Sequence, residues 1–396
     1  MRAVVHDYAG HAFPAQLARA LAGRGHDVLH LQCASFVSGK GSVERKPGDP
    51  PSLSFDAVAL GGDFAKYDLR RRIAHERELG RELSRLIERF RPDALLSNAP
   101  LLVQARLLRA SHALGAGFVF WQQDVMSMAA RRVVGERSKA AGAVAALAVG
   151  ALERRVLRRS DAVVTISEDF LPLLARWGID ERKAAAIENW APVAELPVSP
   201  RENAWAAEHG LTGRSVFLYS GTLGFKHDPS LLLELARWAH GRGATVVVVS
   251  EGPGVEWLAE RGGDEPALRL LPYQPYERLP EVHASADVLV ALLEPEAGAF
   301  SVPSKVLTYL CARRPLLVSL PSDNLAARIV ERSGGGVVVP PRDPAALIAA
   351  AERLLENGVL RDELGERGRA YAEASFDLDA ITDRFEQVLE RAALRD

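Results

Sequence analysis

Two lysines stand where a chain of this kind gathers an anion. Lys226 lies in SGTLGFKHDP, residues 220–229, between the apolar run SVFLY and the helical pattern LLLELARW. Glycines at 221 and 224 let backbone N–H groups approach a ligand closely, and the helix that follows offers its positive dipole end. Lys305 lies in SVPSKVLTYLCARRP, residues 301–315, where Pro303 and Ser304 suit a helix start and Val306, Leu307 and Leu310 repeat as a buried face. A cation in the first turn opposes the helix dipole, at a small cost if the lysine is merely exposed. An anion bound at the same place removes the conflict. GxxxxGK[ST] is absent and no GxGxxG follows the first strand, which turns the reading away from ATP hydrolysis and dinucleotide redox chemistry.

The elements that must hold these loops alternate between short β-branched runs and helical patterns, the signature of parallel sheets wrapped by helices. RAVVHDY, HDVLHLQC, FDAVAL, PDALLSN, GFVFWQQD and DAVVTIS form a first set; SVFLYSG, TVVVVSEG, LRLLPYQ, DVLVALLEP, PLLVSLP and GGVVVPP form a second. Between them NWAPVAELPVSPREN, residues 189–203, reads as an extended linker. LARALAGRGHDVLHL (17–31) and LARWAHGRGATVVVV (235–249) echo each other as a helix stopped by glycine and followed by a strand, although such punctuation recurs in any α/β protein. The expected fold is α/β, with two tandem doubly wound Rossmann-like domains. Ligands of such sheets bind at the carboxyl ends of the strands, and two facing sheets would leave a cleft.

A chain of 396 residues exceeds one compact core, and its 48% hydrophobic and 25% charged content is that of an ordinary globular protein. Cys33 and Cys311 form no CxxC pair, which argues against a disulfide framework and a zinc site and fits a reducing cytoplasm. The start MRAVVHDYAG offers no cleavable apolar segment, and no apolar stretch approaches the ~20 residues of a spanning helix. Residues 1–200 carry 28 Lys+Arg against 22 Asp+Glu and the remainder 21 against 29, so the N-terminal half holds the basic surface. Ordinary solvated helix faces would give the same balance. Two segments are more pointed: KYDLRRRIAHERELGRELSRLIERFRP (66–92), with Leu69, Ile73, Leu79, Leu83, Leu86 and Ile87, and RRVVGERSKAAGAVAALAVGALERRVLRR (131–159). Each reads either as a helix packed on the sheet or as one lying in an anionic membrane surface. Neither interleaves the aromatics that stack bases, so nucleic acid is not an expected partner.

Nearly the whole chain resembles a GT-B-fold glycosyltransferase of family 4, closest to the branch of colanic-acid and O-antigen biosynthesis. LYSGTLGFKHDP, VVVSEGPG, LPYQPYERLPEVHASADVLV, VPSKVLTYLCARRP, WQQD (121–124) and SDAVVTIS (160–167) carry the resemblance in this order. It implies an acceptor-binding domain over 1–195, a nucleotide-sugar domain over 196–375, and a C-terminal helix over 376–396 that returns to the first. By carry-over, Gly221 and Thr222 would lay their backbone on the diphosphate while Lys226 neutralises it, with Glu251 and Gly252 forming the adjacent glycine turn. Tyr273 and Gln274 would border the base. Ser301, Val302, Pro303 and Ser304 would lead into Lys305 and present helix-terminal N–H groups to the distal phosphate. Gly10 would close on it from the other domain.

Two departures from the family pattern stand out. Thr222 occupies the place of an arginine that usually accompanies the lysine. Thr308 and Phe300 stand where a pair of glutamates eight apart is usual, and counting from Glu296 instead puts Ser304 at the second place. The same branch carries PSK without the later glutamate, which points to altered donor recognition rather than inactivity.

The reaction implied is retaining transfer of a hexosyl or deoxyhexosyl group from a UDP- or GDP-linked sugar to a saccharide or polyprenyl-diphosphate-linked acceptor at the cytoplasmic face of the membrane. Lys226, Lys305 and helix-terminal N–H groups would stabilise the departing diphosphate, so that no metal or other cofactor is required. The one DxD, Asp377-Leu378-Asp379, suits a helix start. A donor phosphate oxygen would take the acceptor's proton, making a protein base optional. Asp124, after the fifth strand, is the carboxylate best placed to orient the acceptor hydroxyl or to cap the next loop. His11 follows Gly10 and reads as a solvated loop histidine or a substrate contact. A sugar-nucleotide 2-epimerase and a silent sugar-nucleotide-binding subunit are the competing readings.

Overall fold

The computed structural model describes residues 1–66, 68–135, 139–224, 226–298 and 301–394. Two compact units divide the chain: Met1–Asn189 together with the segment from Asp377 onward, and Trp190–Phe376. The sequence puts the boundary after residue 195; the packing puts it after Asn189.

Unit 1 is a seven-stranded parallel sheet of β1 (Arg2–Asp7), β2 (Asp27–Cys33), β3 (Leu53–Val58), β4 (Ala94–Asn98), β5 (Gly117–Gln122), β6 (Ala162–Thr165) and β7 (Ala184–Ala186), in the order β3-β2-β1-β4-β5-β6-β7. Every residue of β4 and β5 is buried, as expected of parallel strands with helices on both faces. Neighbouring β1 and β4 mark the switch point at which the strand order reverses. Edge strand β7 escapes sequence reading because three alanines carry no β-branched signal.

Unit 2 repeats the plan with six parallel strands: β8 (Ser215–Ser220), β9 (Ala244–Val249), β10 (Leu268–Leu271), β11 (Val288–Leu292), β12 (Leu316–Ser319) and β13 (Gly336–Val339). Their order is β10-β9-β8-β11-β12-β13, with the switch point between β8 and β11. Both lysine-bearing segments begin near it.

The last helix, Leu378–Ala393, belongs to unit 1 and packs on β5, β4 and the helix Ala12–Gly23. Asp377 caps it, accepting from the N–H groups of Asp379 at 3.0 Å and Ala380 at 3.3 Å, which gives the DxD a structural use. On its inner side Phe385 meets the buried Trp121 edge-on, ring centroids 4.9 Å apart, and Arg24 reaches Asp383 and Glu386 from the first helix. Among the described residues no helix is long and apolar enough to cross a membrane.

Candidate functional site

In unit 2 the loop after β8 is built on Gly221, whose φ of 112° only a residue without a Cβ adopts at little cost. Its N–H donates to Val249 O at 3.0 Å and its carbonyl accepts from Ser250 Oγ at 2.7 Å, which fastens the loop to the end of β9. A Cβ there would stand 3.4 Å from Lys305 Cε, so the missing side chain also makes room for the lysine. Next to it Thr222 Oγ1 shares a 2.6 Å hydrogen bond with the Tyr273 hydroxyl, and Leu223 N–H donates to Glu251 O at 3.3 Å. The loops after β8, β9 and β10 are thereby joined at one edge. Gly252, at φ 117°, precedes the helix Pro253–Gly262.

The two lysines reach across between the same two segments. Lys226 Nζ donates to Ser301 Oγ at 2.9 Å, and Lys305 Nζ points back to Thr222 O at 3.5 Å. Lys305 also lies over the ring of Tyr219, Nζ 3.5 Å from the centroid, and that tyrosine's hydroxyl donates to the same Thr222 carbonyl at 2.8 Å. Burial pushes the half-buried Lys305 ammonium well below the usual lysine range, and its contacts among the described residues are a carbonyl and a ring rather than a carboxylate. The charge is held where an incoming anion would find it poorly solvated.

Other sequence candidates take varied places. Ser304 is exposed and precedes a helix of only seven residues, Lys305–Cys311, without a side-chain cap. Asn324 Nδ2 donates to Ser301 O at 2.8 Å and to Gly298 O at 2.9 Å, fixing the approach to Val302 and the buried Pro303. Thr308 Oγ1 turns back to Lys305 O at 2.9 Å. Phe300 lies outside the described residues. Gln274 uses its amide oxygen to accept the Trp205 indole N–H at 2.9 Å.

Unit 1 gathers polar groups at its own switch point. Asp7, at the end of β1, is fully buried and accepts from Asn98 Nδ2 at 2.7 Å, from the His11 backbone N–H at 2.6 Å and from His11 Nδ1 at 2.9 Å. Between them Gly10 adopts φ 74°, and a Cβ would collide with Gln32 Oε1 at 2.4 Å. Asp124 sits on the same edge: burial pushes the Tyr8 phenol up, and the charges of Asp124 and Asp7 act on it in the same direction. Glu153 fixes the turn that follows Asp124, accepting from Met126 N–H at 2.7 Å and Ser127 N–H at 3.0 Å.

The comparisons with known proteins agree across both units. The family described as glycosyl transferase 4-like domain matches residues 10–190, and that described as glycosyl transferases group 1 matches residues 214–357. The chain is a GT-B glycosyltransferase of family 4. It is similar to the probable glycosyltransferase WbjE of Pseudomonas aeruginosa, 27% identical over 67% of each chain. Among solved structures, the sucrose-phosphate synthase of Thermosynechococcus elongatus superposes with a TM-score of 0.72 at 16% identity, over 99% of this chain and 98% of that one. HepE from Anabaena, in complex with UDP and glucose, does so with 0.71 at 15%, over 98% and 99%.

Several residues of this glycosyltransferase escaped sequence reading. Tyr219 looked like strand core, yet it supports Lys305 and Thr222 together. Tyr309 clamps the end of β8, its hydroxyl accepting from Ser220 N–H at 2.7 Å and donating to Ser220 O at 2.9 Å. Asp7 and Asn98 had a legible signal, since each is a polar residue closing a strand with an apolar middle, Ala3–Val5 in β1 and Ala94–Leu96 in β4. His11 keeps a part-exposed ring, as a loop histidine does, but its Nδ1 is tied to Asp7.

The two basic segments are also partly corrected. Leu79, Leu83 and Ile87 are core residues of the helix Leu69–Phe90, leaving Leu69 exposed beside Arg70 and Arg71. In the helix Lys139–Arg159, Val144 and Leu147 face outward at 66% and 68% exposure, whereas Val156 and Leu157 are buried. Residues 67 and 136–138 of these segments lie outside the described residues.

Proposed function

We propose that this glycosyltransferase moves a sugar, with retention, from a nucleoside diphosphate donor held by unit 2 to a saccharide acceptor held by unit 1. The exchange of lysines between the segments 220–226 and 301–305 carries the reading: Lys226 and Lys305 are gathered at the switch-point edge by Ser301, Thr222 and Tyr219. Two amines gathered at one edge suit a departing diphosphate, whose extra charge their ammonium forms stabilise, that of Lys305 being favoured once the anion is bound. Gly221, Thr222, Glu251, Gly252, Tyr273, Gln274 and the 301–308 segment form the surrounding donor site, Gly10 closes on the donor phosphate, and Asp124 belongs to the acceptor side. Asp124 orients the attacking hydroxyl. HepE was solved with UDP and glucose, which favours a uridine nucleotide among the donors to be tried.

The acceptor proposed is a polyprenyl-diphosphate-linked saccharide used in cell-surface polysaccharide assembly, met on the inner face of the cytoplasmic membrane. Exposed Leu69 beside Arg70 and Arg71, and the exposed Val144 and Leu147 of a helix that ends in Arg158 and Arg159, support attachment to an anionic surface. Sedimentation with phosphatidylglycerol vesicles is expected at low salt and should weaken as salt rises. Failure to sediment at low salt removes the attachment.

The deciding experiment offers UDP-glucose, UDP-N-acetylglucosamine and GDP-mannose with a polyprenyl-diphosphate-linked monosaccharide and follows nucleoside diphosphate release and the new glycoside. Transfer with the anomeric configuration kept supports the proposal. An isomerised donor speaks for an epimerase, and binding without release for a silent subunit.

Lys305 adds a pH signature. Its depressed pKa means that the ammonium form costs the folded protein stability below that pKa, and the cost fades as pH rises through it. A bound diphosphate reverses the preference. UDP binding is therefore expected to draw in a proton and to weaken as pH rises above the apo Lys305 pKa, which calorimetry in two buffers of different ionisation enthalpy reads directly. Affinity flat with pH and no proton uptake would take Lys305 out of the site.

A further inference from the structure

Arg342 lies outside the loops named so far, and its backbone takes a conformation that no helix end explains. Among the described residues three that are not glycine adopt a positive φ, and all three are arginines. Arg91 caps the helix Leu69–Phe90 and Arg313 follows the C-cap of the helix Lys305–Cys311, places where left-handed backbone is the usual helix stop. Arg342, at φ 59°, follows the strand β13 instead. A side chain makes that conformation costly, which directs attention to what this side chain does. Its mount is fixed on both sides: Ser319 Oγ donates to Pro340 O at 3.2 Å, and Asp343 caps the helix Pro344–Glu356 by accepting from Ala346 N–H at 2.9 Å.

From that mount the guanidinium holds the segment that follows β11. Nη1 donates to Glu296 Oε1 at 3.0 Å and Nη2 to Glu296 Oε2 at 2.9 Å, a two-bond fork, and Nη2 also donates to the Glu294 carboxylate. The Glu294 side chain is 10% exposed, so water dilutes this ion pair far less than the one to Glu296 at 52%. Glu294 is in turn tied to the donor loop, its backbone N–H donating to Lys226 O at 2.9 Å. Ala297 N–H donates to Glu294 O at 3.0 Å and Ser301 N–H to Ala297 O at 3.1 Å, which carries the hold forward to the serine whose Oγ accepts from the Lys226 ammonium. The carbonyl and the ammonium of Lys226 therefore both rest on residues 294–301, and Arg342 braces those residues from a third loop.

We propose that Arg342 is a positioning residue of the donor site, acting through Glu294 and Glu296 to hold Ser301, and with it the Lys226 ammonium, in register for the diphosphate. This deepens the proposed function and rests on the diphosphate role given there to Lys226. Every residue involved belongs to unit 2, so the device is complete within the donor unit. A charged group stabilises an anion best when its place is fixed before the anion arrives, and a displacement of about 1 Å forfeits much of the effect. The guanidinium also balances carboxylate charge at an edge that receives an anion. Positioning and charge balance predict opposite results for Glu296→Gln.

The test titrates UDP and GDP by calorimetry into the full chain as wild type, Arg342→Gly, Arg342→Lys, Glu296→Gln and Lys226→Ala, and into each of the first three variants combined with Lys226→Ala. Glycine takes a positive φ without strain, so Arg342→Gly should melt within about 4 °C of wild type. It should weaken the nucleoside diphosphate by about 10-fold, the range of an effect carried through packed neighbours. In the Lys226→Ala background the same change should cost under about two-fold, because the cation it positions is gone. Arg342→Lys, which keeps the charge and loses the fork, should fall between wild type and Arg342→Gly. Glu296→Gln should weaken binding about three-fold, whereas charge balance alone would tighten it. Should Arg342→Gly melt far lower, Arg342→Lys and Glu296→Gln, which leave Glu294 its cation, decide by the same cycle. Wild-type affinity in the Arg342 variants, losses that simply add to that of Lys226→Ala, or tighter binding in Glu296→Gln overturns the positioning role and leaves the donor site in place. A wild type that binds neither nucleotide, or a Lys226→Ala that binds as wild type does, overturns both.

Discussion

Lys226→Ala is expected to lower turnover by about 10²–10³-fold, the range seen when one preorganised group that meets developing charge is removed. Its far-UV spectrum and melting temperature should stay close to wild type. The ammonium donates to Ser301 Oγ from a half-buried side chain, and such a hydrogen bond is worth about 1 kcal/mol to folding. Its loss opens no cavity in the core. Lys226→Arg should recover part of the rate, since the charge returns but the planar fork meets Ser301 differently. Thr222 sharpens the expectation, because no arginine stands there to share the load. Full turnover in Lys226→Ala, measured as nucleoside diphosphate release, would remove this lysine from the diphosphate.

Phe385→Ala is expected to cost about 3–5 kcal/mol, as truncation of a fully buried aromatic does. Phe385 is 0% exposed and stands against Trp121, which also meets Phe13 at 5.5 Å between centroids. Three elements distant in sequence share that contact: the first helix, β5 and the last helix. The loss should appear as a lowered denaturant midpoint followed by circular dichroism. Arg24→Ala, which removes part-exposed ion pairs to Asp383 and Glu386, should cost far less because water replaces much of what is lost. A Phe385→Ala cost under about 1 kcal/mol would mean that the last helix is not held by this packing.

Composition, β-branched runs and glycine-punctuated loops made most of the architecture legible in the sequence. Among the described residues, twelve of the thirteen strands announce themselves as short runs rich in apolar and β-branched residues, most clearly β4, β5, β9 and β11, which are buried throughout, and least clearly β3, which carries Ser54 and Asp56 and is largely exposed. The missing strand, Ala184–Ala186, is short, at an edge and made of alanine, where propensity is silent. Lys226 and Lys305 were legible for a local reason: glycine, proline and serine next to a lysine at a strand end describe a loop by themselves. Amphipathic stretches were half legible. Their periodicity could not say that Leu79, Leu83 and Ile87 face the sheet while Val144 and Leu147 face water.

Side-chain partnership belonged to the tertiary structure alone. Asn98 reaches Asp7 across 91 positions, Lys226 reaches Ser301 across 75, and Lys305 reaches Thr222 across 83. Parallel strands cause this: each crossover carries the chain through a helix before a neighbouring strand returns to the same edge, so residues that meet there are separated by whole elements. Local pattern fixes which residues end a strand, since burial and turn chemistry act over a few positions. Which of those ends become neighbours depends on strand order, and strand order is set by the packing of the whole sheet.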